Sequence, residues 1–189
     1  MASNVEIANR ALDKIGHTGT PIVNIASDNT KASKLIGRLY DVLRRKELST
    51  HYWKFAKTRV TLAPDATTTD YSFAYQYELP ADFLRVYKVD SDFPYEIVGR
   101  KILTNDGPVL YFQYIADVID PNLYDPLFIE AFAALIAKEI VEPMTDGSIG
   151  KRQLAMADYT DLIFQAKLMD AIQEPPIDIE EGSWIESRY

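Results

Sequence analysis

Few side chains in this 189-residue chain could do chemistry. Histidine occurs only at His17 and His51, both beside turn or helix-end residues. They lie too far apart in sequence to suggest a shared metal site, and each reads as a surface or partly packed imidazole. No cysteine is present, which excludes a thiolate nucleophile, a thiolate metal site and any disulfide. The carboxylate neighbours Glu139 and Glu142, or Glu180 and Glu181, have the chemistry of the acid and base of a glycan hydrolase. In a chain with 28 acids, however, such neighbours arise without function. No phosphate loop, dinucleotide fingerprint, H-E-x-x-H, EF-hand or G-x-S-x-G pattern occurs. The expectation is a protein with no catalytic residue, cofactor or metal.

Two further groups could contact nucleic acid. Tyr71, Phe73, Tyr75 and Tyr77 recur with period two and would share one face of a strand, where rings can stack on single-stranded bases. Tyr71 to Leu79 contains no Lys or Arg, so a role in the core or at a subunit interface is the better reading. The other group is basic. Residues 31–59 hold nine bases and two acids, whereas residues 60–189 hold nine bases and 23 acids, within a net charge of -8. Such a division suits head-to-tail self-association, in which one subunit's positive face meets the next one's negative face. Its alternative is a solvated basic helix without a partner. No helix-turn-helix pattern frees a second helix to enter a DNA groove.

The elements that must position these groups follow from caps and periodicity. Ser3-Asn-Val-Glu6 has the form of a capping box, and Val5, Ala8, Leu12 and Ile15 follow at helical spacing before Gly16, which predicts a helix over 4–15. Polar residues at 3–13 also interrupt any signal-peptide run, so none is expected. Ile22, Val23 and Ile25 should tuck onto the helices. A second helix is predicted over 28–49, with Leu35, Ile36, Leu39, Val42 and Leu43 inward and Lys31, Lys34, Arg38, Arg44, Arg45 and Lys46 outward. Between 57 and 119, alternating segments near 59–63, 71–79, 83–89, 95–98, 101–103 and 109–115 predict an antiparallel meander with tight turns, including Gly99-Arg100.

The return to helix is marked by Asp125-Pro126, a capping carboxylate followed by proline at the first helical position. The predicted helix, 126–142, is apolar nearly all round and ends at Pro143. It must be covered on most sides, by its own chain and by a neighbouring subunit. It is too short and too charged to span a membrane. A fourth helix, 149–172, should turn Leu154, Ala155, Tyr159, Leu162, Ile163, Ala166 and Met169 inward. Residues 174–189 carry five acids and one base, yet also Ile177, Ile179, Trp184, Ile185 and Tyr189. Fully extended they would reach roughly 50 Å. They read as a tail that docks on another chain, the alternative being a frayed terminus.

Two stretches carry a family likeness. One is Ala8-Asn-Arg-Ala-Leu-Asp-Lys-Ile-Gly16, then Pro21 to Ile25, then the basic helix running into Tyr52-Trp-Lys-Phe55. The other is Tyr77-Glu-Leu-Pro-Ala-Asp-Phe-Leu-Arg-Val86, Gly99 to Pro108, and Tyr124-Asp-Pro-Leu-Phe-Ile-Glu-Ala-Phe-Ala133 through Pro143. In order and spacing, across about residues 4–172, the chain resembles the tail tubular protein A family, the head-to-tail adaptors (connectors or gatekeepers) of short-tailed bacteriophages. The resemblance implies an α+β fold, a bundle of about four helices (1–56 and 120–173) with an inserted antiparallel β-rich subdomain (57–119); the extended acidic docking tail (174–189) rests on its own composition. The resemblance also implies a virion protein, assembled as a homo-oligomeric ring of about twelve copies. That ring would lie beneath the portal protein, meet the tail nozzle or tail fibre proteins, touch no membrane and let genomic DNA pass without sequence-specific binding. An acidic subunit fits a channel that must not grip phosphates. The residues expected to meet the portal or a neighbouring subunit are Lys34, Arg38, Arg44, Arg45, Trp184, Ile185 and Tyr189. The rival readings are a tail-associated glycan or peptidoglycan hydrolase and a DNA-binding packaging factor.

Overall fold

The computed structural model describes residues 2–66 and 72–173. Among them are four α-helices, Asn4–Lys14 (α1), Lys31–Thr50 (α2), Pro126–Met144 (α3) and Ile149–Ile172 (α4). Six strands lie between α2 and α3 in sequence: Lys57–Leu62 (β1), Tyr75–Glu78 (β2), Phe83–Asp90 (β3), Tyr95–Val98 (β4), Lys101–Thr104 (β5) and Leu110–Ala116 (β6). The class is α+β.

Local chemistry sets the helix ends where the sequence places them. Ser3 Oγ accepts from Glu6 N, Thr30 from Ser33 N and the Asp125 carboxylate from Leu127 N, so α1, α2 and α3 each have an orphan donor satisfied by the cap, while Ser148 makes no such side-chain bond at the start of α4. Gly16, at φ +69°, ends α1 in the left-handed region, where other residues meet their own Cβ. Pro143 does not end α3 but sits in its last turn. Proline forfeits one hydrogen bond there without breaking a helix that has nowhere further to go. Lys31 Nζ donates to the Pro143 carbonyl from the start of α2. The predicted tuck of residues 22–25 is made by a two-way clasp: Asn9 Nδ2 donates to Ile22 O at 2.8 Å, and Ile22 N donates to Asn9 Oδ1 at 2.7 Å.

α3 is the axis of the larger core. Phe128, Ala131 to Ala137, Ile140 and Val141 are all buried, and α1, α2 and α4 pack against the helix. The segment after α2 completes the cover. Trp53 and Phe55 each bring a ring to 4.9 Å from Phe128, which also meets Tyr124 at 5.1 Å and Phe132 at 5.9 Å. The expected need for a neighbouring subunit over this helix is therefore corrected, because its own chain covers it.

The strands depart from the predicted meander. They form two three-stranded antiparallel sheets, ordered β1-β6-β3 and β2-β5-β4. Among the described residues only β4 and β5 pair as a tight hairpin, through Gly99 at φ +61°. Alternation fixes which face each strand buries but not which strand it pairs with. β6 takes the centre because it is buried on both sides at its end. Leu110, Phe112, Tyr114 and Ala116 join Tyr77, Leu79 and Ile102 in a second core between the sheets, while Ile115 enters the helical core. The aromatic strand is shorter than predicted. β2 begins at Tyr75, Tyr77 is fully buried with its hydroxyl donating to Asp106 O at 2.8 Å, and Tyr71 lies outside the described residues.

Candidate interaction surfaces

The basic helix splits into a structural half and an exposed half. Arg44, expected to face outward, is 3% exposed. Its Nε lies 2.9 Å from Asp117 Oδ1 and its Nη2 3.1 Å from Asp117 Oδ2, while Nη1 bonds Asp41. Arg45 Nε donates to the same Asp117 carboxylate at 2.9 Å but is 62% exposed. Burial alone would raise the Asp117 carboxyl; the bonds and charges of Arg44 and Arg45 outweigh it and hold the group below the usual carboxylate range. Arg44 is thus a bolt between α2 and the end of β6, and the expectation that it meets a partner is corrected. A guanidinium that deep, bonded to two carboxylates, presents almost no surface to another chain.

The exposed half of α2 presents Lys34, Arg38, Val42, Arg45 and Lys46. Lys34 makes no ion pair among the described residues, and Arg38 bonds only its own helix, donating to Lys34 O at 3.2 Å. Val42, expected inward, is 64% exposed and puts an apolar spot among these cations. Helix geometry explains the correction: the buried face runs through Ile36, Tyr40, Leu43, Glu47 and Leu48, leaving Val42 opposite. Beside this stripe the start of α1, residues 23–26 and α2 enclose an open groove of about 410 Å³ lined by Val5, Val23, Ile25, Gly37, Tyr40 and Asp41 among others.

α4 differs more from the expectation. Ala155, Ile163 and Ala166 are buried as predicted, with Tyr159 and Leu162 half-buried, but Leu154 and Met169 are exposed. With Ile149, Met156, Phe164, Leu168 and Ile172 they make seven large apolar side chains between 48% and 73% exposed on one helix. Leu154, Ala157, Asp161, Phe164, Leu168 and Ala171 follow one another in alternating steps of three and four residues, all exposed. That spacing puts them in one seam, roughly 25 Å long at 1.5 Å per residue, on the side turned away from α3. The helix is apolar on both faces, so its periodicity alone could not say which face lies inward.

The inward face is fastened by polar groups, among which the sequence reading named Tyr159 and His51 but not their partners Glu47 and Asp170. Glu47, fully buried on α2, accepts from Tyr159 Oη at 2.8 Å and from Thr50 Oγ1 at 3.1 Å. Burial and the Glu47 charge raise the Tyr159 phenol, which therefore stays protonated and donating. Asp170 accepts from Lys54 N at 2.9 Å and pairs with His51 Nε2 at 3.0 Å, while the His51 ring packs edge-on against Trp53 at 4.8 Å. These contacts join α2 to α4. Among the described residues no buried side-chain nitrogen or oxygen lacks a partner, and no group of three or more His, Asp or Glu could hold a metal ion.

The remaining candidates are dispersed. Glu139 and Glu142 stand at the rim of a cleft of about 310 Å³ between α3 and α4, where Glu139 meets Lys138 at 3.4 Å and Glu142 meets Arg152 at 3.6 Å. His17 is at the α1 turn, beside Thr145, Asp146 and Lys151 around a separate cleft. The edge strand β4 is exposed along its whole length, with Phe93 exposed just before it. Glu180, Glu181, Trp184, Ile185, Tyr189 and the whole predicted docking tail lie outside the described residues. No described helix is long and apolar enough to cross a membrane. Compared with protein-family models and with curated proteins, the chain finds no match.

Proposed function

We propose that this chain is a structural head-to-tail adaptor of a short-tailed bacteriophage, a non-enzymatic subunit that forms a ring of about twelve copies under the portal protein. The ring connects the capsid vertex to the tail nozzle or fibres and lets genomic DNA pass. The observation that carries this reading is the outer face of α4. A monomer seldom keeps a largely apolar strip, here interrupted by Asp161, on a helix already anchored by its other face, and such a strip marks a surface that joins another chain.

Two further features support it. The helical core draws on residues 7–56 and 115–166 and a separate core on residues 77–116, which is compatible with a bundle (1–56 and 120–173) carrying a β-rich insertion (57–119). The exposed cations Lys34, Arg38 and Arg45 give α2 a face suited to an acidic partner, and the tail 174–189 is the second portal contact. In this reading the exposed β4 edge faces the tail component.

Negative-stain imaging of the chain mixed with purified portal tests the proposal. A ring stacked on one side of the portal is the expected image. Portal particles of unchanged outline beside free monomers would refute it.

A further inference from the structure

We propose that residues 174–189 turn back on their own chain and lie along the exposed cationic stripe of α2, so that in the free subunit the acidic end covers the basic face. This clasp goes beyond the adaptor reading and does not depend on it.

The stripe defines what its occupant must be. Lys31, Lys34, Arg38, Val42 and Arg45 follow one another along α2 in steps of three and four residues, which puts them on one side of the helix, opposite the buried Ile36, Tyr40 and Leu43. Lys46 stands at its edge. Among the described residues Lys34 and Lys46 make no ion pair, and Arg38 bonds only the Lys34 carbonyl. Arg85, from β3, carries the positive charge past the end of the helix, where its Nη1 donates to Ser49 O at 3.2 Å. Of the two acids on α2, Glu47 is buried and Asp41 bonds Arg44. The stripe therefore suits an extended acidic segment that also brings an apolar group to Val42, which is 64% exposed.

Residues 174–189 have that composition. Glu174, Asp178, Glu180, Glu181 and Glu186 stand against the single base Arg188, with Trp184 and Ile185 among them. The rest of the chain beyond residue 59 is itself acidic and repels such a segment.

The point of departure brings the two together. Asp170, in the last turn of α4, accepts from Lys54 N at 2.9 Å and pairs with His51 Nε2 at 3.0 Å, so α4 finishes against the C-terminal end of α2. Gln173, only three residues on, caps α4, and residues 174–189 leave from there. Lys46 and Arg45 lie roughly 7 and 9 Å back along α2 from His51, and Lys34 roughly 25 Å, at the helical rise per residue. Sixteen extended residues reach roughly 50 Å, enough to pass around a helix and follow the stripe to its far end. Pro175-Pro176 keeps the segment from continuing as α4. Exposed ion pairs are individually weak, but a tethered segment meets its site at an effective concentration of order mM, which favours its own chain over a second copy. In the free subunit the cations and the tail assigned to the portal then cover each other, and a partner must displace one to reach the other.

The chain contains no cysteine, so introduced thiols report contacts without background. Ser183→Cys is combined either with Val42→Cys on the stripe or with Met169→Cys on α4, and each double variant is oxidised mildly at high dilution and low salt. Met169, 48% exposed, is nearer to residue 183 along the chain, so an unbound tail closes that shorter loop first. The clasp predicts the reverse: the Val42→Cys pair closes within one chain about tenfold faster than the Met169→Cys pair, and the advantage disappears near about 1 M salt. Arg38→Glu/Lys46→Glu, at exposed positions, should slow the Val42→Cys pair about tenfold, and adding Glu180→Lys/Glu181→Lys should recover most of the rate. Faster closure of the Met169→Cys pair, indifference to the charge reversals, or disulfides between chains instead of within one would overturn the proposal. Portal loading is read separately. A chain without the clasp that still loads portal sinks this inference alone, and a clasped chain that never joins portal sinks the adaptor reading alone.

Discussion

α3 and α4 are both rich in large apolar residues, yet they have opposite relations to the rest of the molecule. α3 is apolar around its circumference and is enclosed by α1, α2, α4 and the Trp53–Phe55 turn, so its hydrophobicity is spent on the fold. α4 is apolar on two opposite faces, and only one of them is covered. An all-round apolar helix is thus a statement about its own chain, whereas a second apolar face on a helix whose first face is buried is a statement about another chain.

The largest expected effect breaks that comparison at matched residues. Phe132, fully buried on α3, and Phe164, 68% exposed on α4, are the same side chain in the two settings. Phe132→Ala should cost about 3–5 kcal/mol in urea unfolding through lost burial and a cavity. Phe164→Ala should stay within about 0.5 kcal/mol. If Phe164→Ala were as costly as Phe132→Ala, the outer face of α4 would belong to the core.

A second pair sharpens the distinction within α2. Arg44→Ala removes two of the three bonds to the Asp117 carboxylate at the helix–sheet joint, leaving it only the exposed Arg45 arm, and should cost about 1.5–3 kcal/mol. Arg45→Ala, which removes the exposed arm of the same network, should cost about 1 kcal/mol or less. Equal losses would mean that the two arginines are equivalent and that α2 does not divide into an inner and an outer half.

The smallest effect is a dependence on pH. Because Asp117 is held below the usual carboxylate range, its contribution is complete at neutral pH, above its unfolded value, and is lost as pH falls through its lowered folded value. Unfolding free energy should therefore decline on acidification below about pH 4, and less steeply in Asp117→Asn. An identical slope in both proteins would remove Asp117 from the joint.

The ends of the helices were legible because caps are local. Ser3, Thr30 and the Asp125-Pro126 pair act on donors two or three residues away, and each marks the observed start or a position close to it. The sheet pairing was not legible, since the partner of β1 is β6, the last strand of the six, and alternation carries no information about distance along the chain. Arg44 was misread for a similar reason. A charged residue on a basic helix looks solvated until Asp117, 73 residues on, is placed against it. The candidate surface was half legible. The apolar content of α4 and the inward place of Ala155, Ile163 and Ala166 were plain, but Leu154 and Met169 could be assigned to either face, and only packing on α3 showed that they lie outside.

The most direct test of the central claim, that the outer face of α4 exists to join chains, is a mass measurement of the full-length protein mixed with portal. The comparison is between wild type and Leu154→Ser/Leu168→Ser, a double variant altered only at exposed positions. The account predicts that the wild-type chain adds many copies to each portal particle while the folded double variant adds few or none. Equal loading by the two proteins would contradict it.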